Sequence, residues 1–143
     1  MSGFLEEDFF ARDFLAVAHD LVGTTLVWDG CRGTVVEVEA YGERDDSACH
    51  CATRPSARAF VRDEAPGTAY VYLNYGIHWL LNVLVKDPAG RNGIILFRAL
   101  DPVAGLAEMR RRRGRDEPAD LCSGPGKLGA ALALGGDDHP TGL

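Results

Sequence analysis

The stretch Thr34-Val35-Val36-Glu37-Val38-Glu39-Ala40-Tyr41 constrains this chain more than any other. β-Branched residues on a period of two predict a strand, with successive side chains on opposite faces. Val36, Val38 and Ala40 then share one face, and Glu37, Glu39 and Tyr41 the other. A strand that buries its valines while presenting two carboxylates and a phenol is either a solvated edge or the wall of a site. Asp29-Gly30 just before it is a hairpin turn signal. Residues 24–28 and about 32–41 are therefore predicted as the two arms of one hairpin.

Residues 10–21 place apolar side chains at Phe10, Phe14, Leu15, Val17, Ala18 and Leu21, a helical stripe that Gly23 can stop. Residues 42–67, with Pro55, Pro66 and many charges, form the longest irregular stretch. A loop of that length in a compact domain is usually functional or disordered. Residues 68–75 and 77–85 read as strands around the turn Asn74-Tyr75-Gly76, and 93–98 as a further strand after Asp87-Pro88-Ala89-Gly90. Asp101-Pro102 opens a predicted helix with Pro102 in its first position. Val103, Leu106 and Met109 are its apolar face, Gly114 its end, and the arginines 110–113 its last turn, where cations meet the helix dipole favourably. A glycine-rich lead-in, which Ser123 could cap, precedes a final helix over 127–134. Residues 135–143 read as a turn and a ragged end. Helix, antiparallel strands and then helices argue an α+β domain.

At 143 residues the chain fits one domain, taken as 1–143. No apolar run approaches the ~20 residues that span a bilayer. The first residues lack the basic start and apolar core of a signal peptide. The expected address is the cytoplasm, or the nucleus in a nucleated cell, with no membrane partner. Four cysteines without an export signal are expected as free thiols. Cys49-His50-Cys51 has no second ligand pair at metal-site spacing, so no metal is expected. The net charge of −6 argues mildly against a surface coated with nucleic acid, and Arg110–Arg113 with Arg115 form the one dense basic block.

Several groups could carry chemistry. Tyr75 sits at a predicted hairpin tip. Its ring either folds back on its own strands or serves as a wedge that unstacks a base step and replaces a flipped nucleotide. Tyr70 and Tyr72 share a face and either pack the sheet or, with Tyr41 and His50, line a pocket that stacks a planar base. Asn82, between Leu81 and Val83, needs partners. It bonds a backbone carbonyl or orients a carboxylate or sugar. Glu37 and Glu39 either face solvent, or one is the general base that activates water against an N-glycosidic bond. Gly124-Pro125-Gly126-Lys127 lacks P-loop spacing. It is either a structural turn or a helix N-terminus whose amides hold a DNA phosphate.

Four blocks in register resemble the alkyladenine (3-methyladenine, or methylpurine) DNA glycosylase family across almost the whole chain. They are Val36-Glu37-Val38-Glu39-Ala40-Tyr41; Tyr70-Val71-Tyr72-Leu73-Asn74-Tyr75-Gly76 with Asn82; Phe97-Arg98-Ala99-Leu100-Asp101-Pro102; and Cys122-Ser123-Gly124-Pro125-Gly126-Lys127-Leu128. The resemblance implies that Glu39 is the general base and that Arg98 helps hold the water and the carboxylate. It implies a flipped purine stacked among Tyr41, His50 and Tyr72, with Asn82 reading purine substituents and Tyr75 filling the gap in the DNA. Ser123, Gly124 and Lys127 become candidate phosphate contacts. The implied partner is double-stranded DNA carrying a damaged purine such as 3-methyladenine, 7-methylguanine, hypoxanthine or ethenoadenine. The implied enzyme is monofunctional: it leaves an abasic site and uses no cofactor, and a monomer is expected. A catalytically silent nucleic-acid-binding module of the same ancestry is the alternative. A nucleoside or sugar hydrolase using both Glu37 and Glu39 is a third. The implied fold is a single mixed domain around a curved antiparallel sheet with a protruding β-hairpin, similar to the C-terminal domain of methionyl-tRNA formyltransferase. Family members continue for several dozen residues past the final helix, so their C-terminal strands are expected to be missing here. The stretch 51–65 also departs from the family pattern.

Overall fold

The computed structural model describes residues 4–44 and 54–142. Its elements run α1 (Phe14–Leu21), β1 (Thr25–Trp28), β2 (Cys31–Gly42), α2 (Pro55–Asp63), β3 (Thr68–Asn74), β4 (His78–Val85), β5 (Gly93–Ala104), α3 (Leu106–Arg113), α4 (Pro118–Leu121), α5 (Pro125–Ala131) and β6 (Thr141–Gly142). The strands form one sheet in the order β1-β2-β5-β4-β3-β6, antiparallel at every pairing. This is the α+β class that the order of elements predicts.

The sheet separates two apolar clusters. On one face Val71, Leu81, Val83, Ile95 and Phe97 pack against Val17 and Leu21 of α1, Met109 of α3, Leu121 of α4 and Leu128 and Ala131 of α5. On the other, Tyr70, Leu84 and Ile94 meet Ala57, Phe60 and Val61 of α2, with Tyr41 and Tyr72 alongside. Glycines set the closest approaches. A Cβ at Gly129 of α5 would lie 1.9 Å from the Trp79 carbonyl oxygen on β4, so only glycine lets that helix settle onto the strand.

Five local expectations are corrected. α1 starts at Phe14 rather than Phe10, because Asp13 caps it: Asp13 Oδ2 accepts from Ala16 N at 3.1 Å. Phe10 instead closes a 3-10 turn, Glu7–Phe10, and is buried from there. The stretch 42–67 is not all irregular, since it holds α2, with Pro55 in its first turn and Ala57, Phe60 and Val61 inward. Lys86 Nζ then donates to Arg62 O and Glu64 O at 3.0 and 3.1 Å, tying down the helix end.

The segment from Asp101 is strand, not helix: β5 continues to Ala104, with Pro102 paired to Gly33. Proline is tolerated there because β4 covers β5 only from Gly93 to Leu96, so the far edge needs no ladder N–H at Pro102. Val103 is accordingly exposed, and α3 begins only after Gly105, whose φ of 77° turns the chain. The last helix is shifted too: it spans Pro125–Ala131, its N-cap is Gly124, and Ser123 does not cap it. The tail is ordered into a 3-10 turn at Gly136–Asp138 and the short β6.

The Gly129 contact gives a stability prediction. Gly129→Ala should lower the unfolding free energy by about 3 kcal/mol or more, the upper end for overpacking. Gly124→Ala, whose Cβ would meet nothing nearer than Lys127 Cδ at 4.0 Å, should change it little. Urea denaturation of both variants checks this.

Candidate active site

The candidate site depends on a change of phase in β2 and β5. The ladder pairs Val35 with Leu100, then Glu37 with Ala99, then Val38 with Phe97, so Val36 is extra on β2 and Arg98 extra on β5. Before this double bulge Cys31 and Val35 face the cluster under α1, α3 and α5; after it Val38 and Ala40 do. A bulge re-aims the side chains that follow it. Val36 is displaced to solvent, 50% exposed, which corrects its predicted place beside Val38 and Ala40 on the inner face. Glu37, Glu39 and Tyr41 do share the opposite face, as the alternation predicts.

One cross-strand row runs through Glu39, Leu96, Asn82 and Tyr70, each directly opposite the next. Residues directly opposite each other in antiparallel strands lie on one face, within side-chain reach. Tyr41 and Ile94 form the neighbouring row, and Tyr72 lies two residues from Tyr70 on the same face.

Glu39 is fixed from both sides. Tyr41 Oη donates to Glu39 Oε1, and Arg98 Nη1 donates to Glu39 Oε2 at 2.7 Å. Arg98 Nε donates in turn to Glu37 Oε1 at 3.1 Å, so Glu37 is the second anchor of the guanidinium. The Glu39 side chain is 39% exposed and so is held firmly yet reachable by water. Burial, and then the bond to Glu39, push the Tyr41 phenol up to about 12. Tyr72 is also held above the ordinary phenol value, chiefly by burial. Asn82 is 3% exposed and Nδ2 donates to Tyr70 O at 3.2 Å, the backbone-carbonyl option of the two foreseen.

Tyr75 stands apart from this face. With Gly76 it forms the hairpin tip, both residues at positive φ (52° and 68°), and Ile77 N donates to Asn74 O. A bulky residue at positive φ is uncommon and strained. The ring is 89% exposed and does not fold back on its strands. His50, with Cys49 and Cys51, lies outside the described residues. Ser123, Gly124 and Lys127 belong to α5 and its approach, on the opposite side of the sheet from Glu39. Lys127 Nζ sits 3.4 Å from both Ser123 Oγ and Asp120 Oδ1. The hairpin root nonetheless meets this helix at Gly126, where a Cβ would lie 2.8 Å from His78 Cγ.

The arginine block serves the fold. Arg112 Nη1 donates to Ala131 O at 2.9 Å, Arg113 to Leu121 O and Asp120 O, and Arg110 to Asp116 O, while Arg111 pairs with Glu108. These bonds tie α3 to the ends of α4 and α5. Among the described residues no three His, Cys, Asp or Glu side chains cluster as a metal site, and no helix is long and apolar enough to cross a membrane.

The family model of methylpurine-DNA glycosylases matches residues 8–143. The chain belongs to the methylpurine-DNA glycosylase family. A protein of Rhodopseudomonas palustris named "Putative 3-methyladenine DNA glycosylase" is 52% identical over 88% of this chain and 60% of its own length. Proteins of the same name from Salinibacter ruber and Bradyrhizobium diazoefficiens are 46% and 47% identical, over 97% and 91% of this chain and 74% and 64% of their own lengths. The chain thus spans about three-fifths of the Rhodopseudomonas relative. The Phe60 ring on α2, buried beside Tyr70 with Tyr41 and Tyr72 alongside, is a feature of this face that the sequence did not assign. The pattern Ala57, Phe60, Val61 behind Pro55 was its signal.

Tyr41 supplies a measurable test of the site's electrostatics. Its folded phenol keeps its proton to higher pH than an unfolded one, which titrates near ~10. Its contribution to stability is therefore whole below about pH 10 and is lost as pH rises toward 12. Glu39→Gln should bring the phenol part of the way down, since burial, the larger cause, remains. Ultraviolet tyrosinate titration of both proteins reads the difference.

Proposed function

We propose that this chain is a monofunctional DNA glycosylase that flips a damaged purine out of the duplex and hydrolyses its N-glycosidic bond. The observation that carries this is the fixed Glu39 carboxylate, held by Tyr41 and Arg98 on the rim of an aromatic face. A carboxylate can accept about four hydrogen bonds. Tyr41 and Arg98 each engage one oxygen of Glu39, leaving lone pairs to orient and deprotonate a water. A positioned base of this kind contributes typically about 10²–10⁴-fold.

Tyr41 and Tyr72 are the stacking surfaces for the expelled purine. Asn82, its amide orientation set by the Tyr70 carbonyl, reads purine substituents from the floor. Leaving-group chemistry favours cationic or electron-poor purines, and weakly paired lesions cost least to flip. The substrates proposed are 3-methyladenine, 7-methylguanine, hypoxanthine and ethenoadenine in double-stranded DNA, and the product is an abasic site. Tyr75 is the wedge that fills the vacated stack. The backbone strain at its tip supports that role, because strain in an exposed bulky residue has no packing reason here. Ser123, Gly124 and Lys127, beside the hairpin root, are proposed phosphate contacts. The chemistry needs no cofactor, and the chain is proposed to act as a monomer with a formyltransferase C-terminal-domain-like fold.

The test is release of hypoxanthine or 3-methyladenine from a defined duplex. Glu39→Gln should reduce release by about 10² or more while lesion binding persists. Tyr75→Ala should weaken lesion binding about tenfold, in line with the loss of one stacking contact. Lesion-selective binding by a folded wild type with no release would overturn the catalytic reading and favour a silent binding module. Turnover of free nucleosides, with Glu37→Gln as damaging as Glu39→Gln, would favour the two-carboxylate hydrolase.

A further inference from the structure

The segment after α5 brings an imidazole against the aromatic face. A 3-10 turn at Gly136–Asp138 is closed by Gly135 N donating to Asp138 Oδ2 at 2.8 Å, and His139 follows in extended backbone. His139 Nδ1 accepts from Val71 N at 3.2 Å. Its ring centroid lies 5.2 Å from Phe60 and 5.0 Å from Tyr70, edge-on to the latter at 88°. Tyr70 is also 4.9 Å from Phe60 and 5.7 Å from Tyr72. One imidazole therefore joins α2 to the outer edge of β3 and touches the ring that neighbours Tyr72. The backbone ladder does not reach this point: β6 pairs with β3 only at Thr68 and Ala69. Val71, the next donor two residues along that edge, is met by a side chain.

We propose that His139 is a positioning residue of the purine pocket: its neutral imidazole, lodged between Phe60 and the edge of β3, sets the tilt of Tyr70 and through it of Tyr72. This rests on the reading of that face as the seat of the flipped base. Nδ1 can accept from Val71 only while the ring is neutral. Burial favours the neutral form, and the Glu64 carboxylate past the end of α2 and the Ala69 carbonyl on β3 pull toward the charged one. Among the described residues Tyr70 is a further titratable group against the ring, and Arg54 at the start of α2 acts on Tyr70. Burial prevails and holds His139 below the usual histidine value. As pH falls through that lowered value of His139 itself, a proton replaces the acceptor lone pair, the Val71 bond is lost, and the pocket loosens.

His139→Asn separates packing from fold, because a carboxamide oxygen can stand where Nδ1 stands while the ring is removed. The first measurement is NMR of ring-labelled tyrosines in the free chain from pH 8 to pH 4.5. Tyr70 and Tyr72 signals should move together with the His139 titration in the wild type and stay flat in His139→Asn. The second is steady-state release from a hypoxanthine duplex. His139→Asn should raise KM about tenfold with kcat nearly unchanged, the upper range for losing one aromatic contact from ground-state binding. Tyrosine signals indifferent to His139, or an unchanged KM in a folded His139→Asn protein, would overturn the proposal. Should the wild type release no base from any lesion duplex, the glycosylase reading fails separately. The tyrosine titration, together with the Kd for free hypoxanthine in place of KM, then decides the role of His139.

Discussion

The chemistry of the site hangs on two unpaired residues, Val36 and Arg98, one on each of two adjacent strands. Strict alternation from Val35 would carry Glu37 and Glu39 into the apolar cluster under α1, α3 and α5. A carboxylate buried there without a partner would be costly enough to neutralise or to unfold the region. The bulge on β2 instead shifts the phase by one, and the bulge on β5 restores the register. It also puts Arg98, the extra residue on β5, within reach of both carboxylates. The same irregularity that keeps the acids out of the core thus supplies the cation that fixes them.

What was legible in the sequence follows from this. The alternation of Glu37, Glu39 and Tyr41 was readable because it lies wholly on one side of the bulge. Val36 was misplaced because a bulge has no period, and nothing in two adjacent valines announces which one leaves the ladder. Pro102 misled for a related reason. Proline at a helix start and proline on an uncovered strand edge look alike until the neighbouring strand is known to stop short. The tip Tyr75-Gly76 was readable because turn chemistry is local, whereas the partners of Arg112 and Arg113, the carbonyls that end α5 and α4, come from tertiary packing alone.

The two faces of the sheet follow different physical rules. Under α1, α3 and α5 the cluster is mostly aliphatic, with glycine at the tightest contact. Against α2 the cluster is aromatic, and polar atoms are built in at fixed positions: the Asn82 amide on a carbonyl, the Tyr41 phenol on a carboxylate, the His139 nitrogen on an amide. Tilted and edge-on rings at 4.9 to 5.7 Å keep their geometry through the orientation of their quadrupoles. Such a face can receive a planar ring without rebuilding, since each wall is already pinned by a directional contact.

The wedge proposed for Tyr75 would have to be stiffer than the stack it enters, and the hairpin is braced at its root. The His78 ring lies on Gly126, the Trp79 carbonyl over Gly129, and the Trp79 ring against Gly136. Three glycines after β5 thus give β4 a bed with no side chains between, close enough that a methyl group would not fit at Gly126 or Gly129. The root is therefore held by the same α5 whose approach carries Ser123 and Lys127. A force on the tip at Tyr75 is transmitted to a helix packed into the core rather than to a free ribbon. The short isolated hairpin, marginal by itself in water, can in this way carry a strained and exposed ring.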